Sequence, residues 1–181
     1  DQCHDKGIQG ICIITAGFKE TGKDGAELEK QLVEKIHSYG MRCVGPNCLG
    51  VVNTHPDVRM DGCFAESLPE RGNIGFVSQS GALGGGILNI LKDLNLGFAQ
   101  FISIGNQADV NAETALEYWE NENDVEQILL YMESIQNPAN FRKLATRISK
   151  KKPILALKAG RSAAGASAAS SHTGSLAGAD K

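Results

Sequence analysis

His172 stands in Ser170-Ser171-His172-Thr173-Gly174, where no bulky neighbour screens the imidazole. A carboxylate on one ring nitrogen of a histidine fixes the tautomer and leaves the other nitrogen nucleophilic. Glu133, at the end of an apolar run, is the candidate for that carboxylate. A third segment, Ser78-Gln79-Ser80-Gly81, follows an apolar stretch and leads into a helical pattern. A helix start presents free N–H groups and a partial positive charge, which together make an anion site. Two hydroxyls and a glycine there let a phosphate come close to the backbone. The combined chemistry is that of a phosphate-handling site centred on His172. Plainer readings stay open: Ser80 as an N-cap, His172 as a surface residue, Glu133 as a solvated strand end.

Such residues need a frame that brings them to one edge. Short apolar runs predict strands over 74–77, 98–104, 127–132 and 154–157. Helical spacing fills the gaps between them. Leu83, Ile87, Ile90, Leu91 and Leu94 predict the buried face of a first helix; Ala112, Ala115, Leu116 and Trp119 that of a second; Phe141, Leu144, Ala145 and Ile148 that of a third, which Pro138 starts. Strand–helix alternation means a parallel sheet with helices on both faces, and ligands bind beyond the carboxyl ends of its strands. Those ends deliver Ser78–Ala82, Ser103-Ile104-Gly105-Asn106, Glu133-Ser134 and Lys158-Ala159-Gly160-Arg161, all small or polar.

Upstream, 11–16 predicts a buried strand, and a helix follows from near Asp24 with Glu27 as its capping pair. Its apolar face is Leu28, Leu32, Val33, Ile36 and Tyr39, and Gly40 closes it. Residues 41–44 predict the next strand, ending in the turn Gly45-Pro46-Asn47-Cys48-Leu49-Gly50. This βαβ unit reads as the end of a domain that starts before residue 1. Residues 51–72 hold Pro56, Gly62, Pro69 and Gly72 without a sustained period and predict a connection. The stretch 161–180, almost wholly Ala, Ser, Gly and Thr, reads by composition as a linker, against which stand its place after a core strand and its histidine.

The bulk properties exclude several classes. The 181 residues carry a net charge of -3, with 18 Lys and Arg scattered along the chain, which argues against a nucleic-acid footprint. No apolar run approaches the ~18 residues of a membrane span, and no signal-peptide core follows the first residues. Five cysteines without a C-x-x-C pair predict reduced thiols in the cytoplasm. Cys43, Cys48 and His55 match no common zinc spacing, so no metal site is expected.

Five blocks in order resemble the α-type region of ADP-forming acyl-CoA synthetases, relatives of succinyl-CoA synthetase: Gly45–Gly50, Ser78–Gly84, Ser103–Asn106 with Asp109, Tyr131–Ser134, and Lys158–Gly178. The resemblance implies a flavodoxin-like parallel sheet with helices on both faces, spanning 73–181. The C-terminal part of a Rossmann-like CoA-binding domain (1–60) and a connection (61–72) would precede it. It implies reversible conversion of acyl-CoA, phosphate and ADP to a small carboxylic acid, coenzyme A and ATP, with acetyl-CoA as the expected thioester. In that scheme an acyl phosphate passes its phosphoryl group to His172, which Glu133 holds. Ser78, Ser80 and Gly81 cradle the phosphate, and Pro46, Asn47 and Cys48 lie near the CoA thiol and acyl group. ATP or ADP with magnesium would sit on an ATP-grasp domain or β subunit outside this chain, in an oligomer. The family's glycine-rich CoA loop is expected upstream of residue 1.

Two other readings compete. Ser80, Asp109 and His172 occur in the order of an α/β-hydrolase triad, although Ser78 stands where the nucleophile elbow needs glycine. Similar regions also act as non-catalytic CoA-sensing modules fused to protein acetyltransferases, and the presence of His172 leans away from that role.

Overall fold

The computed structural model describes residues 1–67 and 70–160. After a short helix α1 (Gln2–Asp5), β1 (Gly10–Cys12) and β2 (Arg42–Val44) pair in parallel around α2 (Lys23–Ser38). A larger sheet of six strands follows in the order β4-β3-β6-β5-β7-β8. Its strands are β3 (Gly50–Asn53), β4 (Met60–Cys63), β5 (Arg71–Ser78), β6 (Phe98–Ser103), β7 (Gln127–Met132) and β8 (Ile154–Lys158), and its helices are α3 (Gly81–Asp93), α4 (Ala112–Trp119) and α5 (Pro138–Ile148). The last four strands are parallel, as their apolar runs predict. No helix among the described residues is long and apolar enough to cross a membrane.

The stretch expected to be a connection adds two antiparallel strands to this sheet. Val51 and Val52 of β3 pair with Ile102 and Phe101 of β6, and β4 folds back on β3. Four residues flanked by glycine carry too little period to stand out as a strand; pairing with the edge of an existing sheet forms it. The sheet is therefore parallel with an antiparallel edge, a common arrangement in large sheets.

Helices cover both faces. On one, Ala112, Leu116 and Trp119 of α4 meet Leu144 and Ile148 of α5 over Val77, Ile128 and Leu130. The buried amide of Gln100 accepts a 2.8 Å hydrogen bond from Trp119 Nε1, so neither polar group is orphaned. On the other face α3 lies over Phe76, Phe98 and Phe101. Asn111 and Asn137 cap α4 and α5 by accepting from the backbone three residues on.

The stripe that α3 buries differs from the expected one. Gly84 and Leu88 face the sheet and the expected Ile87 and Leu91 pack beside them, while Ile90 and Leu94 are 59% and 62% exposed and Leu83 is exposed too. A β-carbon on Gly84 would stand 3.1 Å from the Phe101 ring and 3.2 Å from Ser78, so the absence of a side chain is what lets the helix approach the strand. In α2, likewise, Leu28 is exposed, and Glu27 accepts from Gln31 instead of capping a helix whose N-cap is Gly22. Gly40 does follow that helix with a left-handed φ of +68°.

The two sheets are joined by an ion pair. Asp109, whose side chain is only 5% exposed, accepts from Arg42 Nε at 2.9 Å and from the Cys43 amide at 2.8 Å, with His37 at 3.2 Å. Burial pushes the Asp109 carboxyl up, but the guanidinium, the amide and the imidazole together hold it below the ordinary carboxylate range. Replacing Asp109 by alanine strands these donors and should cost about 1–3 kcal/mol in urea unfolding. A carboxylate with a depressed folded pKa stabilises above its unfolded value of about 3.9 and loses that contribution as pH falls through the folded value. The gap between wild type and Asp109→Ala should accordingly stay constant at neutral pH and close below about pH 4.

Candidate functional site

Residues 43–47 run between the two sheets and are held from both sides. The Ile13 amide donates to Val44 and the Asn47 amide to Thr15; opposite, the Cys43, Gly45 and Pro46 carbonyls accept from Val110, Ala108 and Asn106 at 2.9–3.2 Å. Leu49, just beyond, donates to the buried Ser103 hydroxyl at 2.9 Å. Gly105 makes this close approach possible. Its φ is +50°, and a β-carbon there would lie 2.3 Å from the Pro46 oxygen and 2.4 Å from the Asn47 oxygen.

A cavity of about 330 Å³ opens where this turn meets the start of α3. Asn47, Cys48, Ser80 and Gly81 line it, as do Gln79, Ala82, Gly105 and Asn106, with Leu49, Ile14 and Phe64 as its apolar wall. Ser80 is the N-cap of α3: its hydroxyl accepts from the Leu83 amide at 3.3 Å, and the next two residues of the helix, Gly81 and Ala82, line the cavity. Ser80 thus caps the helix and lines the cavity at once.

Ser78 and Pro46 stand behind the wall. Ser78 is fully buried and its hydroxyl donates to the Ser80 carbonyl at 2.7 Å, so it braces the strand–helix turn instead of facing the cavity. Pro46 contributes its carbonyl to the joint with Asn106. Glu133 is buried beside a smaller cavity that shares Gln79, Gly105 and Asn106 with the first. His172 lies outside the described residues.

Three residues that the sequence reading did not single out organise the site. Gln79 uses its whole amide: Oε1 accepts from the Glu133 and Ser134 amides and Nε2 donates to the Ser134 carbonyl at 2.6 Å. Asn106 donates to Glu20 at 2.5 Å and to Glu29 at 2.8 Å, accepts from Asn47 at 3.3 Å, and its carbonyl accepts from Lys19. The third, Glu29, sits buried on α2 within 3.6 Å of Lys19. A polar residue at a strand's carboxyl end was the available signal for Gln79 and Asn106; Glu29 sits mid-helix with no such mark. Burial raises the Glu20 carboxyl, and hydrogen bonds from Asn106 and the backbone amides of Gly17 and Phe18 more than offset it, leaving it below the ordinary range.

Of the hydrolase residues that are described, Asp109 is engaged by Arg42 and Cys43 at the joint between the sheets, and Ser80 lines the cavity as an N-cap. Among the described residues, no group of three or more His, Cys, Asp and Glu is placed to hold a metal ion. Two substitutions test the frame. Gly105→Ala should lower stability by at least about 2 kcal/mol in chemical denaturation, through positive φ and backbone overlap together. Gln79→Ala, which orphans two buried amides, should cost about 1–3 kcal/mol in the same assay.

Comparison with known proteins bears on what such a cavity serves. Residues 71–181 match the model of the succinyl-CoA ligase like flavodoxin domain. The chain is 48% identical over 177 residues to the alpha subunit of ADP-forming acetate–CoA ligase II of Pyrococcus furiosus, covering 98% of this chain and 38% of the relative. It is 46% identical to the ADP-forming acetate–CoA ligase of Methanocaldococcus jannaschii, covering 99% of this chain and 25% of that one. In fold it superimposes with a TM-score of 0.87 and 40% identity on a dinucleotide-forming acetyl-coenzyme A synthetase 1 of Ca. Korarchaeum cryptofilum in complex with phosphate and ADP, over 98% of this chain and 38% of that structure. The chain thus spans well under half the length of these relatives. All three are named as ligases or synthetases, which supports neither the hydrolase nor the sensing module.

Proposed function

This chain belongs to the succinyl-CoA-ligase-like family that includes the ADP-forming acyl-CoA ligases, and from that membership we propose that it carries the acyl-transfer half of such an enzyme. The substrates are a short acyl-CoA, of which acetyl-CoA is the first candidate, and inorganic phosphate. The nucleotide and magnesium belong to an ATP-grasp domain or β subunit outside this chain, within a cytoplasmic oligomer. The observation that carries the reading is that the cavity between the α3 start and the Asn47–Cys48 turn adjoins the smaller one beside Glu133, the two sharing Gln79, Gly105 and Asn106.

The first amides of α3, Gly81 and Ala82, face the cavity and supply N–H donors and the positive end of the helix dipole for a phosphate oxygen. Another phosphate oxygen attacks the thioester carbonyl, the C–S bond breaks, and CoA leaves as thiolate with an acyl phosphate formed. The same amides offset the charge that builds on the phosphoryl oxygens, and they cost no reorganisation because the turn is already braced by Ser78 and Gln79. His172 then attacks phosphorus, the carboxylate leaves, and the phosphoryl group rests on a ring nitrogen. Glu133 accepts from the opposite ring N–H and stabilises the imidazolium. Transfer to ADP regenerates neutral His172 and gives ATP. Asn47, held by Asn106, bounds the acyl end of the cavity.

The test is phosphoryl capture on the full-length protein with its nucleotide-binding partner. With radiolabelled ATP and magnesium, wild type should take up acid-labile, alkali-stable label, and His172→Ala should take up none. Glu133→Gln should slow labelling on the order of a hundredfold while unfolding at nearly the wild-type temperature. Absence of label in wild type that still binds CoA would overturn the relay.

A further inference from the structure

Two of the cysteines are paired in space in a way the acyl-transfer reading does not use. Cys12 Sγ and Cys48 Sγ are 3.7 Å apart although 36 residues separate them. Cys12, at the end of β1, is exposed; Cys48, in the clamped turn, is buried and lines the 330 Å³ cavity. The Cys48 sulfur packs tightly, 3.4 Å from the Ile13 carbonyl and 3.0 Å from where a β-carbon on Gly45 would be. The arrangement has the two parts of a thiol oxidation couple: one sulfur that solvent reaches, and one in contact behind it that resolves the product.

We propose that Cys12 and Cys48 form a reversible disulfide when the protein meets a hydroperoxide, and that this bond disables the acyl cavity. The Cys12 thiolate attacks the terminal oxygen of the hydroperoxide; the O–O bond breaks, hydroxide (or alkoxide from an organic hydroperoxide) leaves, and Cys12 becomes the sulfenic acid. Cys48 sulfur then attacks Cys12 sulfur, the S–O bond breaks, and the hydroxyl leaves as water with the Cys48 proton. Two electrons pass from the two sulfurs to the peroxide. A dithiol reductant reverses the linkage through a mixed disulfide.

Reactivity follows from the same contact. The Sγ–Sγ hydrogen bond with Cys48 lowers the Cys12 thiol to about 7, against the opposing pull of burial. Cys48 moves the other way, raised by that bond and by burial, so it keeps its proton and serves as the resolving thiol. Burial also pushes Cys43 up to about 11 and raises Cys63, which leaves both poor competitors for peroxide.

Closure shifts the site because the turn has no slack. A disulfide requires the sulfurs to come from 3.7 Å to about 2 Å. Cys12 is the end of a paired strand, and residues 43–47 are bonded on both sides. The Cys48 side chain must turn out of its niche and carry its neighbour Asn47 with it, across the end of the cavity that receives the acyl group. Displacement of a positioning group by ~1 Å lowers turnover on the order of a hundredfold.

The test uses the full-length enzyme. It is treated with hydrogen peroxide, alkylated, digested without reductant and read by mass spectrometry. A peptide linking Cys12 to Cys48 should appear, vanish with dithiothreitol, and be absent from Cys12→Ser and Cys48→Ser. In parallel, acyl-CoA-dependent turnover of wild type should fall at least about tenfold on oxidation and return with dithiothreitol, while Cys12→Ser should be insensitive to the same treatment. Alkylation of both sulfurs after peroxide, or oxidation of Cys12 to the sulfinic acid without linkage, would overturn the pairing. A linked peptide with unchanged turnover would overturn the effect on the cavity. The linkage is read without turnover, so its outcome is separate from that of the phosphohistidine experiment.

Discussion

Two backbones approach each other at Gly105 more closely than any side chain would permit, and the rest of the site is arranged around that approach. On one side lies the turn after β2; on the other, the loop after β6. Three amides of the loop donate to three carbonyls of the turn, which extends hydrogen-bonded pairing from the small sheet towards the large one. The Asp109–Arg42 ion pair closes the far end of this seam and Ser103 with Leu49 the near end. Such a seam satisfies main-chain groups that would otherwise be buried without partners.

What the seam creates is a place where polar groups are buried yet matched. Asn106 faces two carboxylates, and its donor hydrogens suit them; Lys19 brings the countercharge. A half-satisfied network at this depth would be destabilising, whereas this one has a partner for each named group. Gln79, Asn47 and Asn106 at the cavity wall are bonded to one another or to neighbouring loops, whereas a helix start carries amides without intrahelical partners, so an anion is the chemistry this geometry favours.

Much of this frame was legible in the residues alone. The apolar runs at 74–77, 98–104, 127–132 and 154–157 coincide with β5 to β8, because short apolar runs between turn signals mark parallel strands, although β8 at the sheet edge leaves Leu155 and Leu157 exposed. The α4 stripe was equally plain, since polar residues separate its apolar ones. In α3 the pattern held only in part: Ile87 and Leu91 pack against the core, Leu83, Ile90 and Leu94 do not, and the glycine that makes the contact contributes no hydrophobicity. Strands β3 and β4 depend on pairing with a neighbour distant in sequence, which a local pattern does not carry. At the site, residue types pointed to Ser80 and Gly81 because hydroxyl and glycine signals are local, whereas Asn47 and Cys48 came only with the resemblance to the family. The direction in which Ser78 points, and the reach of Gln79 to a loop 54 residues on, are properties of the assembled sheet.

Gln79 has one further consequence. A carboxylate or an imidazole in its place would bond to the same loop but would change its number of donors with acidity. The carboxamide neither gains nor loses a proton across the range in which proteins stay folded, and it offers both a donor and an acceptor throughout. The spacing between the helix start and the Glu133 loop is therefore insulated from the proton concentration. Acid–base sensitivity of the chemistry is confined to the groups that react, and the scaffold that measures the distance between them contributes none of its own.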